Sequence, residues 1–222
     1  SVFARFEAAN RMLNPLTLVP APRASLGQPR CLPRHSAEQV LIFVRNYPWR
    51  TRFTRLRNVA IVGLMLLAGL RRGEVVRLRY EDIHLDEGAI RVVRSKGPHG
   101  GKDRMAYMSP QLTTILGQYD DERRRVRRTC PSFLSLSQLD RGITESTVNE
   151  LFKVVSRRSG EKVTPHMLRH TYATLLRQSG VPDRVSMDLL GHNSLQVLQR
   201  YSHVFSEEHR REAARLWLDD GT

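Results

Sequence analysis

The stretch from Thr164 to Val204, TPHMLRHTYATLLRQSGVPDRVSMDLLGHNSLQVLQRYSHV, gathers four histidines, four arginines and two tyrosines. Proline at 165 suits a first helical turn, and the periodicity predicts a helix over 165–178, then a shorter one over 182–189. His166, Arg169 and His170 recur at intervals of three and four residues, which sets their side chains on one helical face. A Leu-Gly break closes the second helix just before His192, and a turn is expected near 195–200. His166 and His170 stand four apart, like the histidines of an H-E-x-x-H zinc site. Position 167 is Met instead of a base carboxylate, however, and Arg169 would set a cation beside the metal. An anion site accounts for the arginine, and no metal is expected.

Upstream, Ser36 is expected to cap a helix running to Asn46 with Glu38 in its first turn, and a longer helix over 51–68 carries an apolar face that Gly69 ends. A helical turn over 73–78 leads into three short strands at 81–83, 89–94 and 104–108, with turns at 86–88 and 97–101. Helices are then expected over 111–128, 144–158 and 207–218, besides the two already described. The class is mainly α (α+β): a compact helical domain with a small three-stranded antiparallel sheet. Residues 1–13 place Phe3, Phe6 and Ala9 on one stripe but are too few to fold alone. The stretch Asn14 to Arg34 carries five prolines and reads as a linker. The expected division is therefore a remnant of a preceding domain at 1–13, a basic interdomain linker at 14–35 and the compact domain at 36–222. The absence of an initiating methionine at Ser1 suggests a fragment or processed product.

Lys and Arg number 36 against 22 Asp and Glu, a formal charge of +14 in 222 residues, with a pI near 10.9. That balance favours a polyanionic partner, nucleic acid first, although merely basic proteins share it. The only cysteines, Cys31 and Cys130, lie far apart, which indicates neither a disulfide scaffold nor a thiolate zinc site and fits a reducing compartment. The longest apolar run, 59–70, is 12 residues with two glycines, too short to span a bilayer. No signal peptide is visible, and a cytoplasmic, prokaryotic setting is expected.

The order H-x-x-R at 166–169, L-G-H at 190–192 and a tyrosine nine residues later at 201 closely resembles the signature of the tyrosine recombinase (phage integrase) family. AGLRRGEVVRL at 68–78 resembles that family's first motif, G-L-R followed by a carboxylate, and SKGPHGGKDRMAYMSP at 95–110 resembles its strand-turn-strand segment bearing a lysine. The resemblance covers about residues 36–204, and several motifs in the right order are far more specific than any one.

It implies the tyrosine recombinase catalytic fold and metal-independent breaking and rejoining of double-stranded DNA, with no cofactor. Arg71 and Arg169 would clamp the scissile phosphate and stabilise the charge of a pentacoordinate transition state. Tyr201 would attack phosphorus to give a 3′-phosphotyrosine, with His166 as general base, because a phenol of pKa near 10 needs a proton acceptor. Lys96 would protonate the leaving 5′-oxygen, His192 would hydrogen-bond a non-bridging oxygen, and Glu74 would orient the arginines or histidines. Exchange would need four protomers on two duplexes, with Ala213, Leu216 and Trp217 of the last helix docking on a neighbour, although intrachain packing of that stripe is equally compatible with the sequence.

Every assignment has a competitor. Arg72 adjoins Arg71, and Lys102 competes with Lys96 across a turn lengthened by PHGG; the strand end favours Lys96. Tyr172 continues a core-facing helix and Tyr107 alternates within a strand, so both read as structural. His170 is expected to make a buried hydrogen bond, and His203 has no assigned role. The Arg23 to Arg34 linker, the run Arg123 to Arg128, and Arg157 with Arg158 are candidate phosphate contacts, though charge runs are usually solvated faces. Two rival functions share the pattern: a non-cutting DNA-binding protein, and strand passage of the type IB topoisomerase kind.

Overall fold

Residues 31–93, 103–160, 162–190 and 209–221 are described in this computed structural model. The apolar run falls in helix α2 (Arg52–Leu66), where every residue from Arg57 to Leu66 is buried. A helix apolar on all sides must be surrounded, and α2 is flanked by α1 (Arg34–Asn46), α4 (Pro110–Arg125) and α6 (Pro165–Gln178). Each fully buried Leu or Ile in it, such as Ile61 and Leu64, contributes about 1.5–3 kcal/mol of transfer free energy. Thr51 starts the helix by accepting the Thr54 N–H at 3.0 Å.

Beyond α2, Gly69 takes φ +62°, and a Cβ there would lie 2.4 Å from Cδ1 of Tyr172 in α6. Only glycine permits both the left-handed turn and this approach. The chain then forms α3 (Arg72–Arg77) and the antiparallel sheet β1 (Ile83–His84), β2 (Ala89–Val92) and β3 (Arg104–Tyr107), in that order. In the register, Ile90 faces Ala106 and Val92 faces Arg104. These four are buried, so an arginine occupies a core-facing position of β3. α5 (Glu145–Ser159) and α7 (Asp183–Leu189) complete the frame, α5 against α1 and α3, α7 against α6 and β3.

The class expected from the sequence, mainly helical with a three-stranded antiparallel sheet, is the one observed. Several boundaries differ for local reasons. α1 begins at Arg34, with Pro33 in the capping position, so Ser36 lies inside the helix and is buried instead of capping it. Leu32 is already packed, its N–H donating to Thr171 Oγ1 at 2.8 Å. The strand expected at 81–83 is displaced by a 3₁₀ turn over Tyr80–Asp82, because the Asp82 carboxylate takes the Arg79 N–H at 3.0 Å. α4 stops at Arg125, not 128, since the Arg127 backbone turns left-handed at φ 55° and the Arg128 N–H reaches back to Arg123 O. The expected strand residue Arg94, the turn at 97–101 and the turn at 195–200 lie outside the described residues.

The C-terminal helix is shorter than expected: among the described residues it covers 209–214. The Gln111 side chain then takes both backbone groups of Leu218, donating to its O at 2.6 Å and accepting its N–H at 3.2 Å. Leu216 and Leu218 are buried, but Trp217 is 56% exposed, so it leaves the stripe expected of a continuous helix. Arg45 closes this intrachain contact on Asp220 at 2.5 Å. No helix among the described residues is long and apolar enough to cross a membrane.

Gly69→Ala combines left-handed strain with overpacking against Tyr172. It is expected to lower the free energy of unfolding by about 2–4 kcal/mol, read as a lower urea midpoint at unchanged slope; an unchanged midpoint would show that the α2–α6 approach is slack.

Candidate active site

The turn between α2 and α3 fixes the first group of candidate residues. Glu74 sits at the third position of α3, where its carboxylate accepts the Arg71 backbone N–H at 2.8 Å and the Arg71 Nη1 at 2.9 Å. The Arg71 side chain remains 47% exposed while Glu74 is buried. A second guanidinium, Arg104 from β3, reaches the other carboxylate oxygen at 3.0 Å. Burial pushes the Glu74 carboxyl up, but Arg104, the Arg71 N–H and the Arg71 guanidinium outweigh it and hold it below the usual carboxylate range.

The second group comes from α6, capped by Thr164, whose hydroxyl accepts the Met167 N–H at 3.3 Å, with Pro165 in the first turn. The three-and-four spacing separates its residues radially. Arg169 is buried, and its guanidinium donates to the carbonyl of Gly69 and to that of Leu190 at 2.7 Å. His166 is exposed and His170 half-buried, with their Nε2 atoms 2.8 Å apart. Desolvation first, then His166 and Arg169, lower the His170 pKa below its ordinary value.

Arg71, His166, Arg169 and His170 all line one open cleft of about 780 Å³, together with Arg72, Glu145, Asn149 and Leu190. Two guanidiniums and two imidazoles around a solvent-accessible space can bind a phosphodiester and move a proton beside it. The geometry also sorts the sequence-level competitors. Arg72 is held to α5 by Glu145 at 2.6 Å and Asn149 at 3.0 Å, whereas Arg71 is oriented by Glu74 alone of the candidate residues. Among the described residues Glu74 therefore bears on two arginines, Arg71 and Arg104, and not on a histidine. His170, expected in a buried hydrogen bond, instead stands beside His166 in the cleft; its four-residue spacing was the signal for this. Tyr172 is buried against Gly69, and its hydroxyl pKa is pushed far up by desolvation. Burial likewise raises Tyr107, which packs against His209.

Lys96, Lys102, His192, Tyr201 and His203 lie outside the described residues, as does the linker up to residue 30. Within the basic run at 123–128, at and just beyond the end of α4, four arginines have partners in the chain. Arg123 donates to the carbonyls of Cys130 and Ser132 and stacks on Tyr80, Arg124 pairs with Asp120 at 2.6 Å, Arg125 with Glu122 at 2.6 Å, and Arg128 donates to Ser137 O at 2.5 Å. Arg123 and Arg128 are thereby engaged by the chain's own carbonyls, whereas Arg124 and Arg125 stay 65% exposed beside their carboxylates. Arg157 and Arg158 are exposed on α5, and Arg157 lines the neighbouring groove with Lys153 and Lys162.

The sequence pattern of the phage integrase family matches residues 32–208, which takes in both groups of cleft residues. The chain belongs to that family. It is similar to tyrosine recombinase XerD of Listeria innocua, 34% identical over 154 residues, 67% of this chain and 50% of the relative. It is also similar to tyrosine recombinase XerA of Pyrococcus furiosus, 35% identical over 160 residues, 72% of this chain and 54% of the relative. The chain thus spans about half the length of these relatives. Among solved structures, a XerA recombinase crystal structure matches at TM-score 0.61 and 29% identity, over 93% of this chain and 70% of that one. A XerH site-specific recombinase bound to its difH substrate shares the fold at TM-score 0.60 and 24% identity, over 81% of this chain and 52% of that one.

Because its folded-state pKa is depressed, protonating His170 opposes folding: its contribution is present above pH about 6.5 and is lost as pH falls through the folded value. His166→Gln is expected to move the His170 midpoint back up in a ¹³C NMR titration, with burial and Arg169 keeping part of the shift. A midpoint that stays put would mean the two rings do not share a proton environment.

Proposed function

We propose that this chain is the catalytic portion of a site-specific DNA recombinase that cuts and rejoins duplex DNA through a 3′-phosphotyrosine. The observation that carries the reading is the convergence of Arg71, Arg169 and His166 on one open cleft from two segments far apart in sequence. Planar guanidiniums match the oxygens of a phosphodiester and stabilise the additional negative charge of a pentacoordinate phosphorus. Glu74 at Arg71, and the carbonyls of Gly69 and Leu190 at Arg169, hold both before the substrate arrives.

In this reading Tyr201 attacks phosphorus, its hydroxyl proton passes to His166, and Lys96 gives a proton to the departing 5′-oxygen. His192 donates to a non-bridging oxygen. The phosphotyrosine retains the energy of the broken phosphodiester, so a second 5′-hydroxyl attacks it and rejoins the strand without a cofactor. The named relatives are tyrosine recombinases, and the XerH neighbour holds DNA, which supports duplex DNA as the partner. Residues 1–13 fit the end of a preceding DNA-binding domain and the stretch from 14 a basic linker along the duplex, which ends before the expected 35 because Leu32 and α1 from Arg34 already belong to the packed catalytic body. Exchange in this reading runs in a homotetramer in the cytoplasm of a prokaryotic cell; the tail after residue 209, which here packs against its own chain, is the segment assigned to joining protomers.

The test is a pool of nicked suicide duplexes of randomised sequence, incubated without divalent metal, with denaturation-resistant protein–DNA adducts recovered and sequenced. Wild type is expected to yield adducts and Tyr201→Phe none. Adducts that survive Tyr201→Phe would refute that nucleophile, and DNA binding without any adduct would favour a non-cutting binding protein on this fold.

A further inference from the structure

We propose that Arg104 is a positioning residue of the cleavage site, neutralising Glu74 so that the charge of Arg71 is left for the phosphate. The inference rests on the recombinase reading above and assigns a part to a residue outside the six catalytic candidates. Alternation in β3 places position 104 on the core face, opposite Val92, where an apolar side chain is the ordinary occupant. An arginine there leaves the solvent at considerable cost, which a buried ion pair offsets only with good geometry. Arg104 has that geometry: Nη2 lies 3.0 Å from Glu74 Oε2, both side chains are 4% exposed, and Nη1 donates to the Leu189 carbonyl at 3.3 Å.

The charge count gives the arrangement its consequence. One carboxylate lies between two guanidiniums, one sealed in the core and one 47% exposed at the cleft. The sealed pair cancels, and the remaining unit of positive charge sits on Arg71, facing the cleft. Without Arg104, Arg71 and Glu74 would form a neutral couple, and an incoming phosphate would meet a carboxylate already using the guanidinium. The Leu189 contact adds a second effect. Arg104 and Arg169 together hold the carbonyls of Leu189 and Leu190, the residues that lead in sequence into Gly191 and His192.

Among the described residues, the charged groups that act on Glu74 are Arg71 of its own turn and Arg104 of β3; Tyr172 of α6 is coupled to Arg104 and Arg169, and Asp188 of α7 pairs with His209. The charge of Arg104 is the largest single interaction holding the carboxyl down against burial, and the backbone N–H and guanidinium of Arg71 add to it. Removing it leaves Arg71 alone to oppose burial and moves the Glu74 carboxyl up, so the deficit of an Arg104→Met enzyme relative to wild type is largest where Glu74 is ionised and eases as pH falls and the carboxyl takes a proton.

The experiment measures the rate of adduct formation at saturating protein on a nicked duplex recovered with wild type, alongside DNA affinity, for Arg104→Met, Arg104→Lys, Glu74→Gln and the double Glu74→Gln/Arg104→Met. Thermal melts check that each variant folds. Arg104→Met is expected to slow cleavage about 10- to 100-fold with DNA affinity changed far less, to lose less relative to wild type toward acid pH, and to be partly rescued by Arg104→Lys. In the Glu74→Gln background, Arg104→Met is expected to cost little more. A full additional loss in the double variant, or a pH profile parallel to wild type, would overturn the proposal. If Arg104→Met does not fold, the double variant, which removes both buried charges, and Arg104→Lys decide by the same criteria. Wild type failing to form any adduct would sink the recombinase reading itself, a result separate from wild-type cleavage that is indifferent to Arg104.

Discussion

Arg169 donates to the carbonyl of Gly69, just beyond the end of α2, and to that of Leu190, just beyond the end of α7. Helix ends leave carbonyls without intrahelical partners, and a buried carbonyl left unpaired costs about 1–3 kcal/mol. A single guanidinium on α6 meets this requirement at two places at once, which fixes where the chain leaves one helix for Arg71 and the other for His192. A lysine at 169 would carry the charge but not the fork. The same residue thus couples the packing of the core to the placement of the cleft.

Around that junction the charged groups are layered by depth. Glu74 and Arg104 lie within the core, Arg71 and the two histidines at its surface, and Arg72 binds outward to α5. Rigid placement of this kind holds cationic groups at an open cleft, and it places the energetic cost of holding them in folding, before any ligand binds. The α4 arginines illustrate the contrary use of the same side chain. Arg123 binds carbonyls and an aromatic face, while Arg124 and Arg125 pair with carboxylates at the surface.

The two ends of the compact unit meet on α1. Arg34 and Glu38 contact the backbone of 217 and 219, and Arg45 binds Asp220. These contacts, with the Gln111 clamp on Leu218, hold the tail against its own chain as extended backbone where helical periodicity alone would continue the helix. Propensity is a weak prior there, and two side-chain hydrogen bonds to one residue's backbone are enough to override it.

The sequence by itself determined the class, the sheet, the helix over 165–178 to the residue, and the set of candidate chemical groups, because amphipathic periodicity, glycine and proline punctuation and motif spacing are local properties. It also carried the hint of Arg104, an arginine at a core-facing step of a strand, but not its partner. Which charges face which was decided only by the tertiary structure: Arg104 on Glu74, Arg72 on Glu145, His170 on His166, and Arg123 on the carbonyls of Cys130 and Ser132. The reason is physical. Periodicity fixes the side of an element on which a residue lies, whereas an ion pair depends on distances of a few ångströms between segments tens of residues apart, and these are set by how the elements pack around α2.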